Sequence, residues 1–108
     1  MTIMALDVQK NYLTLEKSDL EYEMEVCSSQ KSTVSNGLTT LATQHSNDSS
    51  FDMDTNPQAL VLEQLQKMYD TQSSSIDSQL KAINSQIESF QKTIDNNVKT
   101  ECKLSISV

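Results

Sequence analysis

Residues 76–94 read IDSQLKAINSQIESFQKTI, and this stretch decides the fold. Ile76, Leu80, Ile83, Ile87, Phe90 and Ile94 alternate spacings of four and three. At 3.6 residues per turn such side chains share one narrow face, the seam of a coiled coil. Asp77/Lys81, Glu88/Lys92 and Asp95/Lys99 each set an acid four residues before a lysine, the order that supports a helix by about 0.2–0.5 kcal/mol per pair. Upstream, Glu63/Lys67 repeats that order, and Leu62, Leu65, Met68 and Tyr69 form a second apolar patch. Between the patches lies Asp70-Thr71-Gln72-Ser73-Ser74-Ser75, where helix propensity is weakest and Ser74 with Asp77 could cap a new start. The arm therefore reads as a helix over about 57–98, unbroken or divided at the serines. It opens at Thr55-Asn56-Pro57, a cap residue followed by a proline whose fixed φ suits the first helical position.

The first arm carries the same period. Leu6, Leu13, Leu20, Cys27, Val34 and Leu41 stand seven apart, and so do Ile3, Lys10, Lys17, Met24, Lys31, Leu38 and His45. The second line is only half apolar, so lysine stems must lie along the seam with their ammoniums turned out to water. Val8, Tyr12, Leu15, Tyr22 and Val26 run on a neighbouring face, which predicts a buried arc wider than a two-stranded zipper needs. Asn36-Gly37 is a candidate helix end, although Leu38 and Leu41 can carry the helix to about residue 45. Residues 46–56, SNDSSFDMDTN, hold three Asp and no Lys and form the connector. Beyond Val98, Cys102, Leu104, Ile106 and Val108 alternate with polar residues, a period of two that reads as a free tail or a short strand.

Composition narrows the function classes. The chain has 108 residues, 36% apolar, with two Phe, three Tyr and no Trp, which predicts one small helical domain with a thin core. Its formal net charge is −7 and it has no Arg, so nucleic-acid binding is not expected. No apolar run approaches the roughly 20 residues that cross a bilayer. The start, MTIMALDVQK, has neither the charged opening nor the apolar stretch of a Sec-type signal. A soluble protein follows, cytoplasmic or exported by a route that needs no such signal.

Candidate chemistry is sparse. Catalysis needs a nucleophile, a base and a group to orient them, and the chain supplies one His and two Cys, 75 positions apart. Cys27 lies on the seam, where a thiol acts as a small apolar group, and His45 borders the connector. No catalytic residue, cofactor or metal site is expected. Asp52, Asp54 and Asn56 do stand at positions 1, 3 and 5 of a loop whose twelfth residue is Glu63, the ligand spacing of an EF-hand. The sixth position, however, needs a residue free to take positive φ, and here it is Pro57.

A first helix, a polar turn closed by Asn56-Pro57, and Gln58-Ala59-Leu60 opening a long second helix resemble the layout of type III secretion needle subunits. The similar residues cover about a dozen positions, from Asn56 to Tyr69. The resemblance implies a helical hairpin that stacks with copies of itself into a hollow filament. The present chain is longer than those subunits, lacks their C-terminal signature, and its tail from Lys103 to Val108 has no counterpart there. No Trp-x-Gly turn is present, so the other family of small secreted helical hairpins does not match.

The fold expected is an all-α antiparallel hairpin, with a third helix if the serines break the second arm. The function expected is non-enzymatic association of helices, through a seam of Leu6, Leu13, Leu20, Ile76, Leu80, Ile83, Ile87, Phe90 and Ile94. The partner is a second copy of the chain or another helical protein, the latter making the chain a secretion or assembly chaperone. Pro57 yields a direct prediction: thermal melts with millimolar calcium and with chelator should overlay, and a shift of several degrees would make the acidic connector a site.

Overall fold

A computed structural model describes the backbone of residues 2–107 and the side chains of residues 2–103. The chain is an all-α helical hairpin: α1 spans Ile3–Gln44 and α2 spans Pro57–Ser107. Its packing divides into two compact units, Met1–Glu21 with Ser78–Val108 (unit 1) and Tyr22–Asp77 (unit 2).

In both helices the less exposed residues follow the three-four spacing. Along α1 in unit 1 these include Leu6 and Leu20, which are buried, and Lys10, Leu13 and Lys17, which are half-buried. Unit 2 continues the period through Cys27, Val34 and Leu41, all buried, with Met24, Lys31 and Leu38 half-buried. The lysines keep their stems on the seam and find polar partners at its margin. Lys10 Nζ donates to Gln91 Oε1 in unit 1, and Lys31 Nζ lies 2.7 Å from Asp70 Oδ1 in unit 2. Asp70 holds the Lys31 ammonium above its ordinary pKa. Two further contacts cross unit 2, Gln66 Nε2 to Ser35 Oγ at 3.2 Å and the Cys27 thiol to the Tyr69 carbonyl at 3.3 Å. As residue numbers rise in α1 from Lys31 to Ser35 their partners fall in α2 from Asp70 to Gln66, the signature of antiparallel helices.

The connector is built by its own aspartates. Asp48 Oδ1 accepts from the Ser50 amide at 3.0 Å and its hydroxyl at 2.6 Å, and Asp52 Oδ1 accepts from the Asp54 amide at 2.9 Å. Such side-chain turns replace the backbone bonds that a reversing chain cannot make. His45 stacks on Phe51 with ring centroids 4.1 Å apart, and its Nδ1 lies 3.7 Å from Asp48 Oδ2. The Ser50 bonds, with His45 beside them, hold the Asp48 carboxyl below its ordinary value of 3.8. This group therefore supports the connector above that value, and the support is lost as acid takes the pH down through the lowered one. Asn56 Oδ1 accepts from the Ala59 amide at 3.1 Å, an N-cap of the kind that contributes about 1 kcal/mol. Pro57 follows as the first helical residue.

Two alternatives that the sequence left open are decided, and the reading of the C-terminal residues is corrected. The serines do not interrupt α2, which is one helix, and the Ser73 hydroxyl sits 3.4 Å from Met24 Sδ in unit 2. The residues after Val98 continue α2 as far as Ser107, neither a tail nor a strand; Val108 lies outside the described residues. A strand would need a second strand for its backbone groups, whereas a helix satisfies them within itself. Finally, α1 passes through Asn36-Gly37, and no glycine takes positive φ.

Gly37 thus stands inside a helix with its backbone freedom unused. A β-carbon there would meet the two Leu62 methyl carbons at 3.6 Å, an ordinary contact. Replacing helical Gly by Ala gains about 0.5–1 kcal/mol from backbone entropy. Gly37→Ala should accordingly raise the stability measured by urea denaturation, and a loss would mean that the α1 backbone is not helical at this point.

Candidate functional site

The expected seam residues lie within the hairpin. Leu6, Leu20 and Ile76 are buried, whereas Leu13, Leu80, Ile83, Ile87, Phe90 and Ile94 are half-buried. Leu13 and Phe90 line one groove of unit 1, and Leu20 and Ile83 line another. The seam is therefore largely occupied by the chain itself. Burial is shallow, since among the described residues only Ala59 reaches zero exposure. Two helices in contact leave the flanks of each seam open to solvent.

The second stripe of α1 is not covered. In unit 1 Met4, Val8, Tyr12 and Leu15 are 63–79% exposed, and in unit 2 Tyr22 is 67% and Val26 39% exposed. The wider buried arc expected from the sequence is not formed by this chain, because α2 covers one stripe of α1 and this stripe points elsewhere. Sequence periodicity groups Val8, Tyr12, Leu15, Tyr22 and Val26, to which the structure adds Met4, but cannot tell burial from exposure. α2 has its own exposed apolar group in unit 2, Leu60, Val61 and Met68. The sequence places Met68 in an apolar patch with Leu62, Leu65 and Tyr69, and does not mark Leu60 and Val61 as a surface.

Shallow grooves run beside the stripe. In unit 1, Val8, Gln9, Tyr12 and Leu13 of α1 with Gln86 and Phe90 of α2 enclose about 390 Å3. One heptad along, still in unit 1, Glu16, Asp19 and Leu20 with Gln79 and Ile83 enclose about 270 Å3. Every lining residue of the second groove stands seven positions from a lining residue of the first, except that Leu15, the counterpart of Val8, is absent. The pair is thus one cleft repeated at the helix period. The first lining is uncharged; the second holds two carboxylates and no ammonium. Both lysines of α1 in this unit, Lys10 and Lys17, are half-buried on the seam line. Glu16, one turn from Tyr12, holds its phenol above the ordinary value.

Unit 2 has two grooves of its own. Tyr22, Val26, Cys27 and Ile76 are among the residues enclosing about 450 Å3, and Gly37, Leu41, Pro57, Val61 and Leu62 are among those enclosing about 620 Å3 at the turn. The latter lining has no charged residue. Among the described residues no three His, Cys, Asp or Glu converge as metal ligands, and no helix is long and apolar enough to cross a membrane. Cys27 is buried and Cys102 exposed, both as free thiols. Comparison with protein families, with characterised proteins and with solved structures returns no match.

Seam and outer face should respond differently to charge. Ile83→Asp or Phe90→Asp places a carboxylate among half-buried apolar groups and should cost several kcal/mol of stability. Ser85→Asp and Lys92→Asp, both at exposed positions, should cost at most about 0.5 kcal/mol. Circular dichroism during thermal unfolding reads the contrast, and equal losses at all four positions would discard the seam.

Proposed function

We propose that this chain is a non-enzymatic structural protein that works by helix-helix association with copies of itself. The observation that carries the reading is the apolar surface left outside the hairpin's own seam: Met4, Val8, Tyr12 and Leu15 in unit 1, and Leu60, Val61 and Met68 in unit 2. Apolar side chains spaced by helical turns favour a helical neighbour, because burial removes about 25 cal/mol of unfavourable hydration per Å2. The thin core adds to this, since a small domain with shallow burial gains stability from association. The layout that resembles needle subunits, hairpins that stack on one another, agrees with the reading. The Cys27 thiol, engaged with the Tyr69 carbonyl, and His45, stacked on Phe51, serve packing in it.

An assembly chaperone is the rival from another class, holding a partner's amphipathic helix against the same stripe. A concentration series by size-exclusion chromatography with light scattering separates the two. Self-association predicts a mass that grows through the micromolar range. A mass of one chain at every concentration, with a cooperative thermal transition, would overturn it.

A further inference from the structure

Both units carry exposed apolar surface and grooves, and they differ in the charges that stand beside them. Unit 1 offers recesses: two grooves one heptad apart, the first uncharged around Leu13 and Phe90, the second carrying Glu16 and Asp19 around Leu20 and Ile83. Seven helical residues advance about 10.5 Å, so any segment that fills both must present apolar side chains at that separation. Unit 2 offers apolar side chains at that separation: Val61, at the edge of the groove beside the turn, and Met68 stand seven residues apart on α2 and are 57% and 45% exposed. Lys67, adjacent to Met68, is exposed and makes no ion pair among the described residues.

We infer that the grooves of unit 1 receive the first turns of α2 from a second copy of the chain, Val61 entering the uncharged groove and Met68 the acidic one. This orientation sets the incoming helix parallel to α1 and brings Lys67 towards Glu16 and Asp19. The opposite orientation would strand both carboxylates beside Val61 with no cation, an unfavourable desolvation. Two copies meeting through their unit 1 faces have the same fault, because Lys10 and Lys17 of α1 are held on the seam. The α2 surface of unit 1 has lysines, but Val98 is its only exposed large apolar side chain among the described residues. The start of α2 thus combines the spacing that the grooves require with one cation unpaired among the described residues, Lys67, while Asp70 is engaged by Lys31. Such a contact joins unlike surfaces, so each copy retains a free surface at either side and association continues past the dimer.

The inference rests on self-association, and a mixing experiment on the full chain separates the two. Val8→Asp with Tyr12→Asp blocks the grooves, and Val61→Asp with Met68→Asp blocks the incoming face of α2; all four side chains are exposed, and circular dichroism checks that both variants fold. Each variant alone should remain a single chain by light scattering, and an equimolar mixture should form a species of two chains and stop there. Lys67→Glu should weaken association at least about ten-fold, and adding Glu16→Lys and Asp19→Lys to it should restore most of the loss. A parent chain that never associates overturns this contact together with the self-association reading. A parent that associates, with variants that assemble as it does or fail to complement when mixed, overturns this contact and leaves self-association standing.

Discussion

Two helices in contact cover one stripe of each other, because side chains three and four residues apart share a face and the rest of the circumference looks away. The packing of this hairpin follows from that limit. The stripe of α1 that meets α2 includes lysines at Lys10, Lys17 and Lys31, so cations occupy positions where a larger domain would place leucine. Their stems contribute apolar cover, and Lys10 and Lys31 reach Gln91 and Asp70 at the margin. One consequence is a seam of shallow burial. Another is an outer face of α1 in unit 1 on which apolar groups stand beside acids.

The connector solves a different problem. Reversing direction between two long helices leaves backbone groups without helical partners, and the aspartates of the turn supply them. Asp48 and Asp52 each close a local side-chain turn, and Asn56 caps α2 before Pro57. The acids that resemble the opening of a calcium loop thus have structural work within the turn. Stacking of His45 on Phe51 adds an apolar contact where the helices part.

In the proposed function these features act together. A hairpin stabilised chiefly by one narrow seam has apolar surface to spare, and burying it against further copies offsets the shortfall of a small core. A contact between unlike surfaces, in place of one patch that meets itself, would make the assembly directional. Charge then serves as the register: a carboxylate-bearing groove beside an uncharged one discriminates Met68, with its neighbouring Lys67, from Val61.

Much of the fold was legible in residue spacing. The seven-residue lines of both arms, the acid-to-lysine pairs of α2 and the Asn56-Pro57 start reflect local geometry, which adjacent residues determine among themselves. Weaker local signals left alternatives open: Asn36-Gly37 and Ser73-Ser74-Ser75 cost a helix something, yet both helices run through them, and the Ser73 hydroxyl meets Met24 Sδ across unit 2. The alternation after Val98 lacked the second strand that would have given it meaning. Periodicity could identify Val8, Tyr12 and Leu15 as a stripe, but whether a stripe is covered depends on how many helices surround it. Likewise the two grooves of unit 1 join residues far apart in the chain, such as Leu13 with Phe90 and Leu20 with Ile83. The sequence by itself determined which residues share a face; only the tertiary structure decided which faces are covered, because cover requires a second surface brought from far along the chain.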